Sequence, residues 1–428
     1  METKFDKLGF YPADILLPKG QDMTKWAVVA CDQYTSEPEY WDRVDKYVGD
    51  APSTLRLILP ESKLEAPNVE EEIEKIHQTM DQYLEEGRLR AVENSLFFLE
   101  RKLDDGKTRL GLIGKLDLEQ YNYEKGSGTP IRATEGTVLS RIPPRMKVRR
   151  GAAVELPHIM VLIDDPDKQI IEPLATAEAK KSMSQIYIST LMEKGGRVTG
   201  YRLSPEQAQA VIDKLEALAD PARFETFYNA PGKPVLTFAM GDGNHSLATA
   251  KACWEEIKAT LSPEEQENHP ARYALVELVN LHDDSLEFEA IHRVLFDVDP
   301  QALLADFIAA YPGAYKGQGE GHQIKYFIGD ESGYVTVPNP THQLAVGTLQ
   351  SFLDKYLEEK GGKIDYIHGE DVTARLASQP NAIGFVLPAM AKSELFPTVI
   401  FDGALPRKTF SMGHAHDKRF YLEARKIK

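Results

Sequence analysis

Cysteine and positive charge are both scarce in this chain. Only two of its 428 residues are cysteines, Cys31 and Cys253, too few for a disulfide framework or a zinc site. This content is typical of a reducing compartment, so we expect a cytoplasmic protein. Lys and Arg number 50 against 66 Asp and Glu, which gives a net charge of −16. Nucleic-acid binding is disfavoured, because its affinity comes mostly from cations paired with phosphates.

Long apolar runs are also missing. No run approaches the 18 residues that a membrane helix needs, and the segment after Met1 lacks the basic start and apolar stretch of a signal peptide. We therefore expect no membrane partner. The sequence has no GxxxxGK[ST] loop and no HRD/DFG motif pair, which excludes the two commonest ATP-binding solutions. What remains, 42% hydrophobic and 27% charged residues, is typical of an ordinary globular protein.

The hydrophobic pattern predicts strands and helices in irregular alternation, and then a polar tail. Predicted strands are Trp26 to Cys31, Ser95 to Leu103, Arg109 to Leu116, His158 to Ile163, Val235 to Met240, Tyr273 to Leu281, Leu286 to Phe296 and Ile383 to Leu387. Predicted helices are Asn68 to Gly87 and Pro205 to Leu218, each opened by a capping box, with Thr176 to Met192, Leu247 to Thr260, Pro300 to Tyr311 and Val346 to Lys360. This mixture predicts an α+β fold, a mixed sheet with helices.

The segment most informative about function is Gly241-Asp242-Gly243-Asn244-His245-Ser246, between a predicted strand and a predicted helix. Two glycines allow a tight turn, and the unpaired amides of a first helical turn attract phosphate. Asp242 and His245 are therefore candidate catalytic residues, and Asp242 is also a candidate metal ligand. The other four are candidate phosphate-binding residues. The same residues also fit a plain turn in which Asp242 or Asn244 caps the helix and His245 packs.

Three segments carry a resemblance to a known family. They are Gly241 to Ser246, Cys31-Asp-Gln-Tyr-Thr-Ser-Glu37-Pro-Glu-Tyr-Trp41 and Leu405-Pro-Arg-Lys-Thr-Phe410, and they resemble the bacterial family catalogued as domain of unknown function 1015 over most of the chain. Many members of that family have Asp-Gly-His-His-Arg where this chain has Asp242-Gly-Asn-His-Ser246. That pentapeptide resembles the site of ParB/sulfiredoxin-like proteins and free serine kinases, which use the loop to hold phosphate.

The resemblance implies a ParB/sulfiredoxin-like core with N- and C-terminal extensions. We place an α+β region at 1–130, the phosphate-binding core at 131–298 and a second α+β region at 299–428. Asp242 and His245 match the family pentapeptide, whereas Asn244 replaces a histidine and Ser246 replaces the arginine.

A basic cluster offers the charge that this arginine would supply. Arg132, Arg141 and Arg145 are candidate phosphate ligands, because guanidinium groups suit phosphate, and Lys147, Arg149 and Arg150 follow them. Glu135 is a candidate substrate-binding residue, since the family resemblance includes an acidic residue in this region. The alternative is a solvated basic loop paired with the acidic surface.

Further candidates lie elsewhere in the chain. Asp32 and Glu37 follow a predicted strand and are candidates for a general base or a magnesium ligand, although they also fit ordinary turn chemistry. His292 and Arg293 resemble a His-Arg pair of the wider family, which implies substrate binding, and an edge-strand salt bridge explains them equally well. We interpret His414, His416 and Asp417 as structural, because metal sites normally show more ligands.

These residues predict a phosphotransferase that acts on a small hydroxylated metabolite, with free serine as the substrate implied by the resemblance. Phosphoryl transfer needs amides, arginines, a divalent cation and a weak base, so we expect Mg²⁺ and a nucleotide or pyrophosphate donor. The alternative is a non-catalytic sensor or adaptor that binds a phosphorylated metabolite. ParB-type DNA binding is disfavoured by the negative charge. The sequence leaves the oligomeric state open.

Overall fold

The computed structural model describes residues 8–428. Residues 1–7, where the sequence predicts no signal peptide, lie outside the described part. The chain forms two compact units. The first comprises residues 8–133, 137–286 and 413–428, and the second comprises residues 134–136 and 287–412. Within residues 8–428, no helix is long and apolar enough to cross a membrane.

Strands and helices alternate along both units. The strands are β1 (Phe10–Tyr11), β2 (Ala13–Pro18), β3 (Leu89–Ser95), β4 (Phe97–Lys102), β5 (Thr108–Asp117), β6 (Tyr121–Asn122), β7 (Ile131–Arg132), β8 (Val154–Glu155), β9 (Met160–Ile163), β10 (Ser184–Thr190), β11 (Arg197–Arg202), β12 (Phe238–Asp242), β13 (Tyr273–Asn280), β14 (Phe288–Ala290), β15 (His292–Phe296), β16 (Tyr315–Lys316), β17 (His322–Ile328), β18 (Glu331–Val337), β19 (Lys363–Ile367), β20 (Ile383–Val386), β21 (Phe410–Met412) and β22 (Arg425–Lys426). The α-helices are α1 (Met23–Trp26), α2 (Pro38–Val48), α3 (Val69–Glu85), α4 (Ile142–Arg149), α5 (Ala177–Lys180), α6 (Pro205–Leu218), α7 (Pro221–Tyr228), α8 (Asn244–Lys258), α9 (Pro263–Asn268), α10 (Pro300–Ala310), α11 (Ala345–Lys360), α12 (Glu370–Ala377) and α13 (Leu395–Asp402).

A ten-stranded mixed sheet forms the centre of the first unit. Its order is β10-β11-β4-β5-β13-β9-β12-β7-β6, with β1 paired to β5. The hairpin predicted from the sequence is confirmed, since β4 and β5 pair antiparallel. β9 runs parallel to β13 but antiparallel to β12, and β12 runs parallel to β7. The predicted mixture of strands and helices around a mixed sheet is therefore confirmed.

The side chains of this sheet alternate between two apolar cores, as the period-2 geometry of a strand requires. Phe97 belongs to the core that also contains Trp26 and Tyr421. Its neighbour Phe98 belongs to the opposite core, which contains Trp254 of α8. β4 therefore contributes to both faces of the sheet.

Two of the predicted elements are wrong. Trp26 to Cys31 is not a strand, because Trp26 ends α1 and the buried residues after it form a single bridge, Val29 to Phe420. These residues are apolar because they are buried, and a buried segment that pairs at only one bridge has the same apolar sequence pattern as a buried strand. The predicted helix Thr176 to Met192 breaks after α5, and its second half is β10. β-branched residues and alternating burial favour a strand there.

The sequence signals for helix starts predicted both helices that carry them. Ser204 opens α6 with the predicted capping box, in which its side chain accepts from the Gln207 amide and Gln207 bonds back. The helix predicted at Asn68 is also present as α3, but the Asn68 side chain makes no cap hydrogen bond and instead donates to Glu72. The predicted capping box at this position is therefore wrong.

The predicted polar tail is wrong as well. Phe420, Tyr421 and Leu422 are buried, and the Tyr421 amide donates to the Val28 carbonyl at 2.8 Å. The chain end looked polar because it carries several charged residues. Inside the first unit these charges are paired, for example Arg419 with Glu277 at 2.5 Å.

The second unit contains a six-stranded sheet in the order β16-β18-β17-β20-β15-β19. The predicted strand Leu286 to Phe296 is divided there, since β14 pairs with β21 whereas β15 lies between β20 and β19. The helices predicted at Pro300 and Val346 are present as α10 and α11.

The division into regions at 1–130, 131–298 and 299–428 stays a prediction. Strands from the first two of these regions share one sheet, because β4 and β5 pair directly with β11 and β13. The first unit also contains Gly413–Lys428 from the end of the chain.

Candidate functional site

The turn between β12 and α8 lies in the first unit and has the predicted shape. β12 ends at Asp242, Gly243 adopts a left-handed conformation with φ of 83°, and α8 begins at Asn244. No side chain caps the helix, and the amides of Ser246 and Leu247 both donate to the Gly243 carbonyl. The amides of Asn244 and His245 therefore remain for a ligand. Residues 241–246 are all partly exposed, between a buried strand and a buried helical turn.

Glycine is required at both glycine positions of this turn. A Cβ on Gly241 would lie 2.9 Å from Cγ of Leu162, and a Cβ on Gly243 would lie 3.2 Å from Cα of Ile159. The positive φ of Gly243 adds strain for any other residue. The turn thus packs directly on β9 and the residue before it.

Carboxylates and a lysine lie together beside the turn. Nζ of Lys418 lies 3.2 Å from Oδ2 of Asp242. Oδ2 of Asp32 lies 4.0 Å from Nε2 of His158. Burial would raise the pKa of Asp32, but His158, a hydrogen bond from Gln33 and the charge of Lys418 hold it below its usual range. The Asp32 carboxylate is therefore ionised and lies close to His158 and Lys418.

A hydrogen-bonded chain runs inward from Ser246. Its Oγ lies 2.8 Å from Nε2 of His158, and Nδ1 of the same ring lies 2.8 Å from the hydroxyl oxygen of Tyr421. That oxygen also accepts the Cys31 amide at 3.0 Å. Ser246, Tyr421 and Asp32 thus surround one buried imidazole.

His245 faces the basic side of the site. Its Nε2 accepts the Val138 amide at 3.3 Å, so the neutral ring carries its proton on Nδ1. Burial, with the charges of Arg145 and Arg141, lowers the pKa of His245 to about 4. His245 is therefore a neutral donor near pH 7 and a weak base. Because the charges of Arg145 and Arg141 lower the pKa of His245, both guanidinium groups are close enough to act electrostatically on the turn.

The other predicted arginine is held differently. Arg132 in β7 is 4% exposed, and its guanidinium donates to the backbone carbonyls of Thr129, Pro234 and Val235. Those bonds hold Nε and Nη2 of the guanidinium in the framework, and burial lowers the pKa of Arg132 to about 10. The predicted role of Arg132 as a phosphate ligand stays a prediction.

The basic cluster after Arg141 is largely paired with acidic residues. Arg145 contacts Glu61, and it also donates to the Arg141 carbonyl at 2.6 Å. Three further ion pairs are Lys147 with Glu70, Arg149 with Glu155 and Arg150 with Glu256. These last three basic residues are paired with acidic side chains, as the alternative predicted, but Lys147 and Arg149 lie in helix α4 rather than in a loop.

Two carboxylates proposed as catalytic differ in their surroundings. Asp32 lies beside His158, as described above. Glu37 is exposed at the N-terminus of α2, and its side chain makes no cap hydrogen bond there. Among residues 8–428, no group of three or more His, Cys, Asp or Glu side chains is arranged to hold a metal ion.

Glu135, His292 and Arg293 belong to the second unit. Arg293 is fully buried and donates to Gln350 Oε1 at 3.0 Å and to backbone carbonyls of Arg407 and Lys408. His292 accepts the Leu387 amide at 3.2 Å. Glu135 forms an isolated parallel bridge with Leu405. Their predicted role in substrate binding stays a prediction.

Comparison with protein families gives a match over most of the chain. The model for the family described as "Protein of unknown function (DUF1015)" matches residues 12–356. The chain belongs to this family. The resemblance seen in the sequence is therefore confirmed. No curated protein matches this DUF1015 chain.

Solved structures show only distant likeness. A free serine kinase in complex with AMP has a TM-score of 0.37 and 10% identity, over 73% of this chain and 90% of that chain. SbnI with C-terminal truncation from Staphylococcus aureus has a TM-score of 0.38 and 10% identity, over 73% and 87%. A conserved hypothetical protein from Pyrococcus furiosus has a TM-score of 0.35 and 11% identity, over 73% and 94%. These TM-scores are too low to support a conclusion about this DUF1015 chain.

Sequence reasoning missed three residues of the site. His158 gave a weak signal, as a histidine between a proline and the strand β9. Lys418 and Tyr421 gave none, because they lie in the supposed polar tail and beyond the matched residues of the DUF1015 family. Only the fold of the first unit brings this chain end beside Asp32 and Asp242.

Proposed function

We propose that this protein is a phosphotransferase that moves a phosphoryl group to a small hydroxylated metabolite. One observation carries the proposal: cations, ionised carboxylates and the uncapped first turn of α8 come together in the first unit. Phosphoryl transfer depends mainly on positioning and on stabilisation of charge, so these are the groups that it needs.

The phosphate would lie against the start of α8. The amides of Asn244 and His245 and the Nδ1–H of His245 make no hydrogen bond within residues 8–428, so these donors remain for a ligand. Oδ1 of Asn244 is shielded from solvent and also has no partner in the described chain, so the turn offers an acceptor to a ligand hydroxyl as well. Lys418, Arg145 and Arg141 supply positive charge around it.

The carboxylates beside the turn are suitable ligands for Mg²⁺. Enzymes often hold Mg²⁺ with one or two carboxylates together with phosphate oxygens and water, rather than with a full cage of side chains. Asp242 and Asp32 are such carboxylates, and Lys418 acts electrostatically on both. The ion, when bound, would neutralise the donor's phosphates. We keep Asp242 as its proposed ligand.

The donor and acceptor are narrower proposals. A nucleoside di- or triphosphate or pyrophosphate is proposed as donor, because the sequence lacks the common ATP-binding loops. Free serine is proposed as acceptor on the sequence resemblance of the segment Asp242 to Ser246 alone. The same resemblance is the only support for a ParB/sulfiredoxin-like core. Glu135, His292 and Arg293 remain proposed substrate residues, and Glu37 a proposed catalytic one. The two-cysteine content supports a cytoplasmic reaction.

A sensor of phosphorylated metabolites is the second candidate. It is favoured by the ion pair between Asp242 and Lys418, because a carboxylate already paired with an ammonium group is well suited to a fixed binding site. A sensor would bind its ligand without turnover and would tolerate the loss of Asp242.

The two candidates differ in one assay. The purified protein would be incubated with ATP, ADP or pyrophosphate, with and without Mg²⁺, together with L-serine or a panel of hydroxylated metabolites. A phosphotransferase gives a phosphorylated product in at least one mixture. A sensor gives saturable binding of a phosphorylated metabolite in calorimetry and no product in any mixture.

A further inference from the structure

Ser246 and His158 have the arrangement of an activated nucleophile and its base. The serine Oγ lies 2.8 Å from Nε2 of the imidazole, within direct proton-transfer distance. His158 is 8% exposed, whereas Ser246 lies in the partly exposed turn. The base is thus shielded from solvent and the nucleophile is accessible. A third group, Tyr421, orients the base through its other nitrogen.

The Tyr421 hydroxyl holds the other side of the imidazole. Its oxygen accepts the Cys31 amide at 3.0 Å and lies 2.8 Å from Nδ1 of His158. Burial and the neighbouring Cys31 raise the pKa of Tyr421 well above its ordinary value, so the phenol stays protonated. Its oxygen can also accept from the Nδ1–H of His158, and in that tautomer the lone pair of Nε2 faces the Ser246 hydroxyl. Base catalysis by Nε2 requires this tautomer.

The surroundings suit the charges that such an attack creates. Asp32 Oδ2, at 4.0 Å from Nε2, would stabilise the imidazolium that forms when the serine gives up its proton. The amides of Asn244 and His245 begin the helix that carries Ser246, so they lie where the oxygens of an attacked phosphate develop charge.

From these contacts we propose that Ser246 attacks the phosphorus of the donor with His158 as its base, so that transfer passes through phosphoserine. The proposal rests on the proposed function and specifies its route. In the first step an Oγ–P bond forms and the bond from phosphorus to the leaving phosphate oxygen breaks. The Oγ proton passes to Nε2 and stays there, and the leaving phosphate departs as an anion. In the second step the acceptor hydroxyl bonds to phosphorus from the side that the leaving group vacated, and its proton passes to solvent. The Oγ–P bond then breaks and Oγ takes the proton back from Nε2.

A fluorophosphonate probe tests the nucleophile independently of any donor, because it also reacts by attack on phosphorus and releases fluoride. Labelled peptides would be identified by mass spectrometry in the full-length protein. We expect Ser246 as the dominant labelled residue, with label lost in Ser246→Ala and at least tenfold slower in His158→Gln. Ser262→Ala, which removes a serine at the start of α9, is the matched control and should label normally. Labelling of the unaltered protein that does not favour Ser246 would overturn the proposal, whatever the stability of the variants.

Incubation with ATP, ADP or pyrophosphate in the absence of acceptor tests the covalent step. We expect phosphoserine at position 246, which disappears when the acceptor is added, and a loss of about a hundredfold or more in transfer by Ser246→Ala. Full transfer by Ser246→Ala would overturn the phosphoserine route and leave the proposed function standing. Absence of transfer from every donor would overturn the proposed function instead, together with its phosphoserine step.

Tyr421 is a positioning residue in this scheme. Tyr421→Phe removes the oxygen that contacts Nδ1 of His158 but keeps the ring packing. Because that oxygen also accepts the buried Cys31 amide, the melting temperature should fall whatever the role of Tyr421 in the reaction. A structural role alone would leave the labelling rate of the folded protein and its pH dependence unchanged, whereas the proposal expects slower Ser246 labelling with a different pH dependence.

Discussion

Nζ of Lys418 lies 3.2 Å from Oδ2 of Asp242, although the two residues come from distant parts of the first unit's chain. The segment that carries Lys418 is fixed by Arg101 of β4, whose guanidinium donates to the carbonyls of His416, Asp417 and Lys418 itself. A buried arginine therefore sets the position of a lysine beside the turn from Gly241 to Ser246.

Replacement of Arg101 by methionine tests this anchor. Arg101 is 5% exposed, and its loss leaves backbone carbonyls buried without donors. We expect the free energy of unfolding to fall by about 3 kcal/mol, at the upper end for an unsatisfied buried group. Urea unfolding measures it. Arg43→Met, which removes an exposed ion pair with Glu193, is the control and should leave the free energy of unfolding nearly unchanged. Equal effects of the two variants would show that Arg101 is not an anchor.

Lys418 itself is expected to bind the ligand's phosphate. In Lys418→Gln we expect the dissociation constant for ATP or pyrophosphate to rise about ten- to a hundredfold, because a charge-assisted hydrogen bond is lost. Calorimetry on the full-length protein gives this constant. The control, Lys426→Gln, removes an exposed lysine of β22 and should leave binding unchanged. Unaltered affinity in Lys418→Gln would remove Lys418 from the site.

The sequence predicted the backbone of the turn from Gly241 to Ser246 well because its signal is local, whereas phosphate binding there stays a proposal. Two glycines between an apolar run and a helical pattern specify the backbone, and β12 and α8 meet at Gly243 as expected. His158 and Lys418 could not be found in this way. Their places depend on a sheet whose strands are not adjacent in sequence and on the segment Gly413–Lys428. Residues 419–425 of that segment are buried, and their paired charges gave it the composition of an exposed tail.

Arg132 shows a second limit of prediction from the sequence. An arginine in a basic cluster of an acidic protein predicts a ligand for phosphate, yet Nε and Nη2 of Arg132 donate to three backbone carbonyls of the framework. Residue type alone does not distinguish an arginine that holds a ligand from one that holds the chain. Only the partners of the guanidinium make that distinction.

Asp242 separates the two candidate functions. Asp242→Asn keeps an oxygen that can accept the Gly243 amide, which Oδ1 now accepts at 3.0 Å, and loses only a partly exposed ion pair. The melting temperature should therefore change little. If Asp242 takes part in proton transfer or holds Mg²⁺, turnover should fall about a hundredfold or more. Full phosphotransfer activity at normal stability would refute the catalytic role.

His245 gives a prediction about pH. Burial, Arg145 and Arg141 lower the pKa of His245 to about 4 in the folded protein, against about 6.5 in an unfolded chain. Between these values the unfolded state binds a proton that the folded state does not, so the contribution is complete above about pH 6.5 and is lost as the pH falls toward 4. Because the ring is partly exposed, we expect about 1 to 2 kcal/mol, less than the full shift implies.

His245→Gln removes this titration. Urea unfolding at pH 7 and pH 5 should therefore show the unaltered protein losing about 1 kcal/mol more than His245→Gln over that interval, which covers only part of the titration, since the other histidines titrate in both proteins and cancel. Arg145→Gln should move the pKa of His245 upward, which histidine-selective NMR titration resolves, because one of the charges that disfavour the imidazolium is gone. Equal acid sensitivity of the two proteins would mean that His245 titrates normally. Its ring would then be protonated near the pH at which other histidines are, and it would meet the phosphate as a cation rather than as the neutral donor described here.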